Sequence, residues 1–460
     1  MKIALKNKHV LVLGIGETGL SVLRWLNTQG AHLSVADTRD NPPGVAALQA
    51  QLPLVSLYTG AFNAALFAEI DLIVVSPGVA LSEPEIQAAI NRGVMVVGDV
   101  ELFAQYRSPD AKVIAITGSN GKTTVTSLVG DMCKAAGLKT IVAGNIGLPV
   151  LDALMMEAPD VYVLELSSFQ LETTSNLQVD AATMLNLSED HMDRYASLQE
   201  YAIAKARIFH HATLQVLNRD DAWSMLMARA KLAQVTFGLS ASGDYGLQEV
   251  EGETWLVNGE NALIILQDLK IAGLHNAVNA LAAVALCRGI GVDYAPIIQT
   301  LYNFKGLPHR VEWIANIDDV DYYDDSKGTN VGATCAALNG MFKNGHPQQV
   351  VLIAGGDGKG QDFTPLCGAV TENARAVVLM GRDAPLIEAV LLKTNVPLYL
   401  AVDLPEAVNI AKRVAQSGDA VLLSPACASF DMFNNYVHRA EVFVAAVNKL
   451  QPISQLEGCA

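Results

Sequence analysis

The sequence predicts an α/β protein of three domains. Two Rossmann-like units flank a central parallel sheet that carries a phosphate loop. Three observations carry that prediction. Strand-like apolar runs alternate with helical patterns from end to end, as in parallel sheets covered by helices on both faces. Glycine-rich turns stand at two strand-to-helix junctions, Gly14 to Gly19 and Gly118 to Gly121. At 460 residues, the chain is also too long for one hydrophobic core.

Composition narrows the function classes. A formal charge of −16 argues against general binding of nucleic acid or an acidic membrane, both of which need a basic face. Anionic small substrates remain possible, because a few placed Lys or Arg side chains dominate locally. Cys133, Cys287, Cys335, Cys367, Cys427 and Cys459 are scattered without a CxxC pair, so neither a disulfide framework nor a zinc site is expected. The N-terminal apolar run is interrupted too early for a signal peptide, and no stretch approaches the ~18 apolar residues of a spanning helix. A cytoplasmic chain in a reducing compartment is the expectation.

The first block, 1–101, has strand patterns near 9–14, 32–36, 71–75 and 94–97. Its "VLVLGIGETGLSVLRWL" places Gly14, Gly16 and Gly19 between strand and helix, and Asp37 ends the next strand. That is the setting for a diphosphate at a helix N-terminus, with an acid for a ribose hydroxyl. A glycine-rich turn without a ligand is the competing reading. Ser76-Pro77-Gly78 ends a later strand at the same expected sheet edge.

The second block, 102–307, opens with "VIAITGSNGKTTVTSLVG". A full Walker loop would have glycine where this chain has Ile116, but the strand-to-helix context is intact. Backbone N–H groups of Gly118, Ser119, Asn120, Gly121 and their neighbours can cradle phosphates. Lys122 can neutralise them, and Thr123 can ligate Mg²⁺. Glu165 ends the strand "VYVLEL", and His191 follows another in "LNLSEDHMDRY". Both strand ends should lie near the loop, where a carboxylate is a sensible Mg²⁺ ligand. Taken alone, Glu165 reads as a helix N-cap, the His191 stretch as a polar turn, and Lys205 as a solvated or snorkelling helix lysine. Residues 235–270 carry short strands of a small added sheet, and "HNAVNALAAVALCRGIG" closes the block as a helix. Gly306 and Pro308 punctuate the boundary to the third block, 308–460, with strands at "QVVLIAGG", "AVVLMG", "PLYLAV" and "AVLLSPA".

The ordered motifs "ITGSNGKTT", "AGNIG", "LELSSFQL", "LNLSEDHMDRY", "AKARIF", "GLHNAVNALAA", "LPHRVE", "DDSKGTN", "AGGDGKGQDF" and "LLSPACASFDMF" together resemble the Mur ligase family, over nearly the whole chain. The resemblance implies an ATP-dependent, amide-forming ligase that joins D-glutamate to UDP-N-acetylmuramoyl-L-alanine through an acyl phosphate and a tetrahedral intermediate. It implies two Mg²⁺ ions, replaceable by Mn²⁺, one held by Thr123 and Glu165 and the other by His191 and Lys205. Lys205 would be carbamylated by CO₂. Lys122 and Lys359 join these as catalytic residues. ATP would be met by Gly118 to Thr124, Asn276, Asn279, Arg310, Asp325 and Lys327. The UDP-sugar would be met by Thr18, Asp37, Thr38, Arg39, Gly78 and Asn145. D-Glutamate would be met by Thr329, Lys359, Ser429 and Tyr436, the last standing where relatives commonly have phenylalanine. The family also implies a monomer, without nucleic-acid or membrane partners. Two rival readings remain at this stage: a nicotinamide oxidoreductase, resting on the first glycine turn and Asp37, and a non-catalytic phosphate-loop module.

Overall fold

The computed structural model describes residues 2–271, 273–343 and 346–450; Cys459 and the rest of the C-terminal end lie outside them. The first block forms a five-stranded parallel sheet of β1 (His9–Leu13), β2 (His32–Asp37), β3 (Ser56–Thr59), β4 (Leu72–Val75) and β5 (Met95–Val97), in the order β3-β2-β1-β4-β5. Strand β1 reads as a continuous apolar run because both its faces are covered; Val10 to Leu13 are buried. Strand β3 escaped the sequence reading, since it is a short, mostly exposed edge strand. The strand order reverses between β1 and β4, and both glycine-bearing loops, after Leu13 and after Val75, open there.

The central sheet has nine strands: β6 (Lys112–Thr117), β7 (Thr140–Gly144), β8 (Val161–Glu165), β9 (Gln178–Met184), β10 (His211–Asn218), β11 (Ala233–Phe237), β12 (Tyr245–Val250), β13 (Glu253–Asn258) and β14 (Asn261–Ile265). Their order is β14-β13-β12-β11-β10-β9-β6-β8-β7. The added strands of 235–270 are thus hydrogen-bonded in continuity with the parallel sheet, and they turn antiparallel from β12 onward. Strand β6 lies between β8 and β9, with Ile116 level with both Glu165 and Thr183. The missing Walker glycine is explained by this register: Ile116 is a buried strand residue, and the loop begins after Thr117. The helix Leu274–Gly289 is buried along most of its length, against the sheet and the phosphate-loop helix Lys122–Ala135. That burial explains its nearly uniform apolar composition.

The third block begins with a hairpin of β15 (Glu312–Ile317) and β16 (Val320–Asp324), missing from the sequence reading. Its two turn residues, Asp318 and Asp319, have φ of 55° and 61°, the left-handed pair that suits a tight hairpin. A two-stranded ribbon, β17 (Phe342–Lys343) and β18 (His346–Pro347), precedes β19 (Val350–Ala354), β20 (Ala374–Leu379), β21 (Leu398–Leu400) and β22 (Ala420–Leu423). The sheet order is β15-β16-β22-β19-β20-β21.

Two kinds of joint hold the blocks together. One apolar cluster runs through the first and central sheets, joining Val12, Leu26 and Phe103 to Tyr162, Leu164 and Phe209. Phe103 and Tyr162 meet edge to face at 4.9 Å. The third block has its own cores on the two faces of its sheet. Hydrogen bonds link it to the central block: Arg310 to Thr123, Asn330 to Asn120, Lys359 to Asp190, and the Asp362 backbone N–H to Glu189.

Asp99 lies at the apolar joint, opening the helix Asp99–Tyr106. One carboxylate oxygen accepts from Gln170, and the other is buried without a partner. Burial raises its pKa to about 6, against the weaker lowering effect of Gln170. The folded chain therefore binds a proton there that the unfolded chain releases from about pH 4 upward, so stability falls as pH rises from 4 through 6. Asp99→Asn is expected to remove that slope and to stabilise the protein at pH 7.5 by on the order of 2 kcal/mol, checked by urea unfolding across pH.

Candidate active site

The carboxyl ends of the two parallel sheets, and the third block above them, enclose three cavities. The first, of about 490 Å³, lies at the strand-order reversal of the first sheet and is lined by Gly14, Gly16, Thr18, Asp37, Thr38, Arg39, Gly78, Asn145 and Gln170, among others. It brings together all six residues expected to hold the UDP-sugar. Asp37 accepts from the Ile15 backbone N–H at 2.8 Å and pairs with Arg39 at 2.7 Å. Burial pushes its pKa up, but the hydrogen bonds from Arg39 and the two backbone amides outweigh this and lower it to about 2. Asp37 is therefore a fixed anion that orders the Gly14 turn and aims Arg39 at the cavity mouth.

The second cavity, of about 230 Å³, lies between the phosphate-loop helix, Leu274–Gly289 and the third block. Its lining includes Gly121, Thr124, Asn276, Asn279, Arg310, Asp325 and Lys327, all expected at ATP. Phe237 and Leu239, from the end of β11 and just after it, give it an apolar side suited to a base. Asp325 accepts from the Ser424 hydroxyl at 2.7 Å. Burial raises its pKa to about 7 despite that bond and Arg310. His275, beside Asn276, is held neutral by burial, with its pKa lowered to about 4.

The third cavity, of about 320 Å³, is where the titratable groups converge. Ser119 to Thr123, Asn145, Glu165, His191, Lys205, Arg310, Lys327, Thr329 and Lys359 all line it. Asn145 belongs to this cavity and to the first, so the two communicate. Lys122 folds back to donate to the carbonyls of Gly118 and Ser119, both at 2.8 Å. Glu165 is buried at the end of β8; one oxygen accepts from Asn145 at 2.8 Å and the other is buried without a partner. The N-cap reading of Glu165 fails here, since Ser167 caps the following helix in a capping box with Gln170. His191 adopts φ of 60°, beside Asp190 and against the Phe169 ring at 4.9 Å. Burial lowers its pKa.

Lys205 overturns the default for a helix lysine. It is 1% exposed, donates to the Gly118 carbonyl at 2.9 Å and lies over the Tyr201 ring. Burial, reinforced by nearby Lys122, drives its pKa well below that of an ordinary lysine. Burial likewise lowers Lys327 to about 8, and its ammonium stands 3.9 Å from the centre of the Tyr436 ring. Tyr436 thus holds a cation, and neither it nor Ser429 lines this cavity. Ser429 is buried, its carbonyl accepting from the backbone of Met432 and Phe433.

Three contributors were passed over in the sequence, although Asp190 and Asn330 lie inside motifs already quoted. Asp190 precedes His191 and accepts from Lys359 at 3.2 Å. Asn330 ends "DDSKGTN" and meets Asn120, while Tyr201 stands one helical turn before Lys205. The pairing partners of these residues are 169 and 210 positions away for Asp190 and Asn330, so no local pattern announces them.

A fit for divalent cations can be judged from the donors themselves. The unpartnered buried oxygen of Glu165 and the hydroxyl of Thr123 line one cavity, and such hard oxygen donors suit Mg²⁺.

Comparison with known proteins gives three family matches. Residues 8–98 match the N-terminal domain described as Mur ligase MurD-like, 116–287 the Mur ligase middle domain, and 309–427 the Mur ligase glutamate ligase domain. A relative from Methylobacillus flagellatus, named UDP-N-acetylmuramoylalanine--D-glutamate ligase, is 62% identical over 97% of this chain and 98% of its own. One of the same name from Nitrosomonas europaea is 53% identical over 96% of this chain and 97% of its own. Among solved structures, MurF from Acinetobacter baumannii matches with a TM-score of 0.62 at 17% identity, over 98% of this chain and 93% of that one. The UDP-N-acetylmuramate-alanine ligase from Thermotoga maritima matches with a TM-score of 0.60 at 22% identity, over 97% of this chain and all of that one. At those identities the structural likeness is one of fold.

Gly121 provides a direct check on the phosphate loop. It caps the helix Lys122–Ala135 at φ 80°, and a Cβ there would stand 2.5 Å from the Asn279 amide oxygen. Gly121→Ala is expected to cost about 1–2 kcal/mol of stability and to weaken ATP binding at least tenfold, read by thermal unfolding and calorimetric titration.

Proposed function

Since this chain belongs to the Mur ligase family and adds D-glutamate to UDP-N-acetylmuramoyl-L-alanine with ATP in peptidoglycan synthesis, we propose how its own residues divide that reaction. The carrying observation is the third cavity, where four cationic side chains, Lys122, Arg310, Lys327 and Lys359, face Glu165, His191 and buried Lys205. Making an amide from a carboxylate requires two anions, the carboxylate and the γ-phosphate, to be held in contact. A carboxylate oxygen of the acceptor attacks the γ-phosphorus, and ADP leaves. The D-glutamate nitrogen then attacks the acyl carbon, giving a tetrahedral centre from which phosphate departs. Both steps concentrate negative charge, which fixed cations in a water-poor cavity stabilise.

The nucleotide sugar would lie in the first cavity, with Thr18, Thr38, Gly78 and the Asp37–Arg39 pair at its diphosphate and uridine. Asn145, shared between cavities, would meet its peptide end. Asn276 and Asn279 would meet the adenine side of ATP, Asp325 the ribose, and Arg310 and Lys327 the phosphates. Thr329, Lys359 and Ser429 would receive the two D-glutamate carboxylates. Tyr436 would support them through Lys327.

The enzyme is ATP-dependent and uses Mg²⁺. When bound, the ion offsets the charge of the phosphates and the carboxylate. Thr123 and Glu165 would hold one ion, and His191 and Lys205 a second. An ammonium at Lys205 would repel that second ion, but the burial that lowers its pKa favours the neutral, nucleophilic amine. The neutral amine would attack the carbon of CO₂ and lose a proton, becoming a carbamate with oxygen donors. We read the domains as 1–101, 102–307 and 308–460, in a cytoplasmic monomer. Among the described residues, no helix is long and apolar enough to cross a membrane.

Phosphate release from ATP in the presence of UDP-N-acetylmuramoyl-L-alanine should rise with D-glutamate. It should not rise with L-glutamate, L-alanine or meso-diaminopimelate, and an absent response to D-glutamate would sink the assignment. Lys205→Ala is expected to lower kcat by at least about a hundredfold and to recover part of it with added formate or acetate. Full activity without rescue would exclude the carbamate.

A further inference from the structure

Asn120 and Asn330 face each other across the joint between the central and third domains. Asn120 Nδ2 donates to Asn330 Oδ1 at 3.1 Å, and Asn330 Nδ2 donates to Asn120 Oδ1 at 3.0 Å. Two primary amides thus close a reciprocal pair between residues 210 positions apart. Each partner is itself anchored. The Asn120 backbone N–H donates to Asn186 Oδ1 at 2.8 Å, its carbonyl accepts from Asn186 Nδ2, and its own Nδ2 also reaches Ser188. Asn330 is the N-cap of the helix Val331–Asn339, its Oδ1 accepting from the Ala333 backbone N–H at 2.8 Å.

The approach is close enough to restrict the next turn of that helix. A Cβ on Gly332 would stand 2.5 Å from the Ser188 hydroxyl and 3.2 Å from Asn120 Nδ2. The helix therefore seats its first turn directly on the phosphate-loop region, at the one position where it has no side chain to interfere. Asn120 lines both the base-side cavity and the cationic cavity, so the pair stands where the two meet.

We propose that the Asn120–Asn330 amide pair is a positioning contact that sets the third domain in register on the phosphate loop, and so aligns D-glutamate with the acyl phosphate. This rests on reading the cationic cavity as the place where the third domain delivers the amino acid. The bridges made by cationic side chains are poorly suited to that task. Arg310 occupies the Thr123 hydroxyl, and Lys359 is paired with Asp190. Both are charged groups that incoming phosphates and carboxylates compete for. The amide pair carries no net charge and does not titrate, so it persists while the charged groups change partners. Thr329, the neighbour of Asn330, and Lys327 inherit their placement from it.

The test is a double-mutant cycle with Asn120→Ala, Asn330→Ser and the combination. Serine keeps an N-cap acceptor for Ala333 but loses the amide, so the helix start is preserved. Each single substitution is expected to lower kcat/KM for D-glutamate, at saturating ATP, by about five- to thirtyfold. The double variant should fall no further than the worse single, because both remove one shared interaction. The same cycle is read independently as interdomain distance, by energy transfer between dyes on the central and third domains in the presence of ATP. Singles and double should shift to the same longer distance. Losses that multiply in the double, or an Asn330→Ser variant with unchanged distance and kcat/KM, would overturn the proposal. A distance cycle that couples in an enzyme whose phosphate release ignores D-glutamate would keep the latch and remove only the reading of the cavity.

Discussion

Gathering several cations around one small cavity is the constraint on which the rest of the structure depends. Lys122, Lys205, Arg310, Lys327 and Lys359 all open onto the same 320 Å³ space. Packed together without anions they repel, and burial adds a desolvation cost to each charged form. The structure lowers this burden in several ways. Lys122 folds onto loop carbonyls, Lys359 pairs with Asp190, and Lys327 rests on the Tyr436 ring. Burial lowers the pKa of Lys205, disfavouring its charged form. The resulting site is short of negative charge, which a triphosphate and two carboxylic substrates supply.

That demand accounts for the two kinds of domain joint. The first and central domains share an apolar cluster through Phe103 and Tyr162, so the nucleotide-sugar cavity keeps a fixed relation to Asn145 and Glu165. The third domain keeps its own cores and meets the central one through polar groups. Polar bridges cost little to exchange for ligand contacts, whereas an apolar joint would expose greasy surface on opening. Substrates that must enter and leave a closed cavity favour the exchangeable joint.

Much of the fold was legible because parallel strands covered on both faces read as continuous apolar runs, and glycine turns marked their carboxyl ends. Exceptions included the edge strands β3 and β7, the ribbon β17–β18 and the hairpin β15–β16. Site residues were legible where the chain carries them in compact motifs, as in "GSNGKTT" and "DDSKGTN". Asp190 and Asn330 were passed over because their meaning lies in partners far along the chain. The contact Tyr436 makes, a ring under the Lys327 ammonium, belongs to the packing of a loop against the start of the helix Tyr436–Asn448.

The sequence by itself determined the order of the sheets along the chain, the phosphate loop and the identity of the charged residues. Those features are local, set by hydrophobic period, glycine and motif spacing. Only the tertiary structure decided protonation and pairing. Lys205 is an ordinary helix lysine until burial beside Lys122 drives its pKa well below the usual lysine range. Glu165 is a candidate cap until Ser167 takes that role and leaves one carboxylate oxygen without a partner. Asn120 and Asn330 are two polar loop residues until the domains meet. Charge state and hydrogen-bond pairing depend on what is excluded and what is brought near, and only the folded chain sets both.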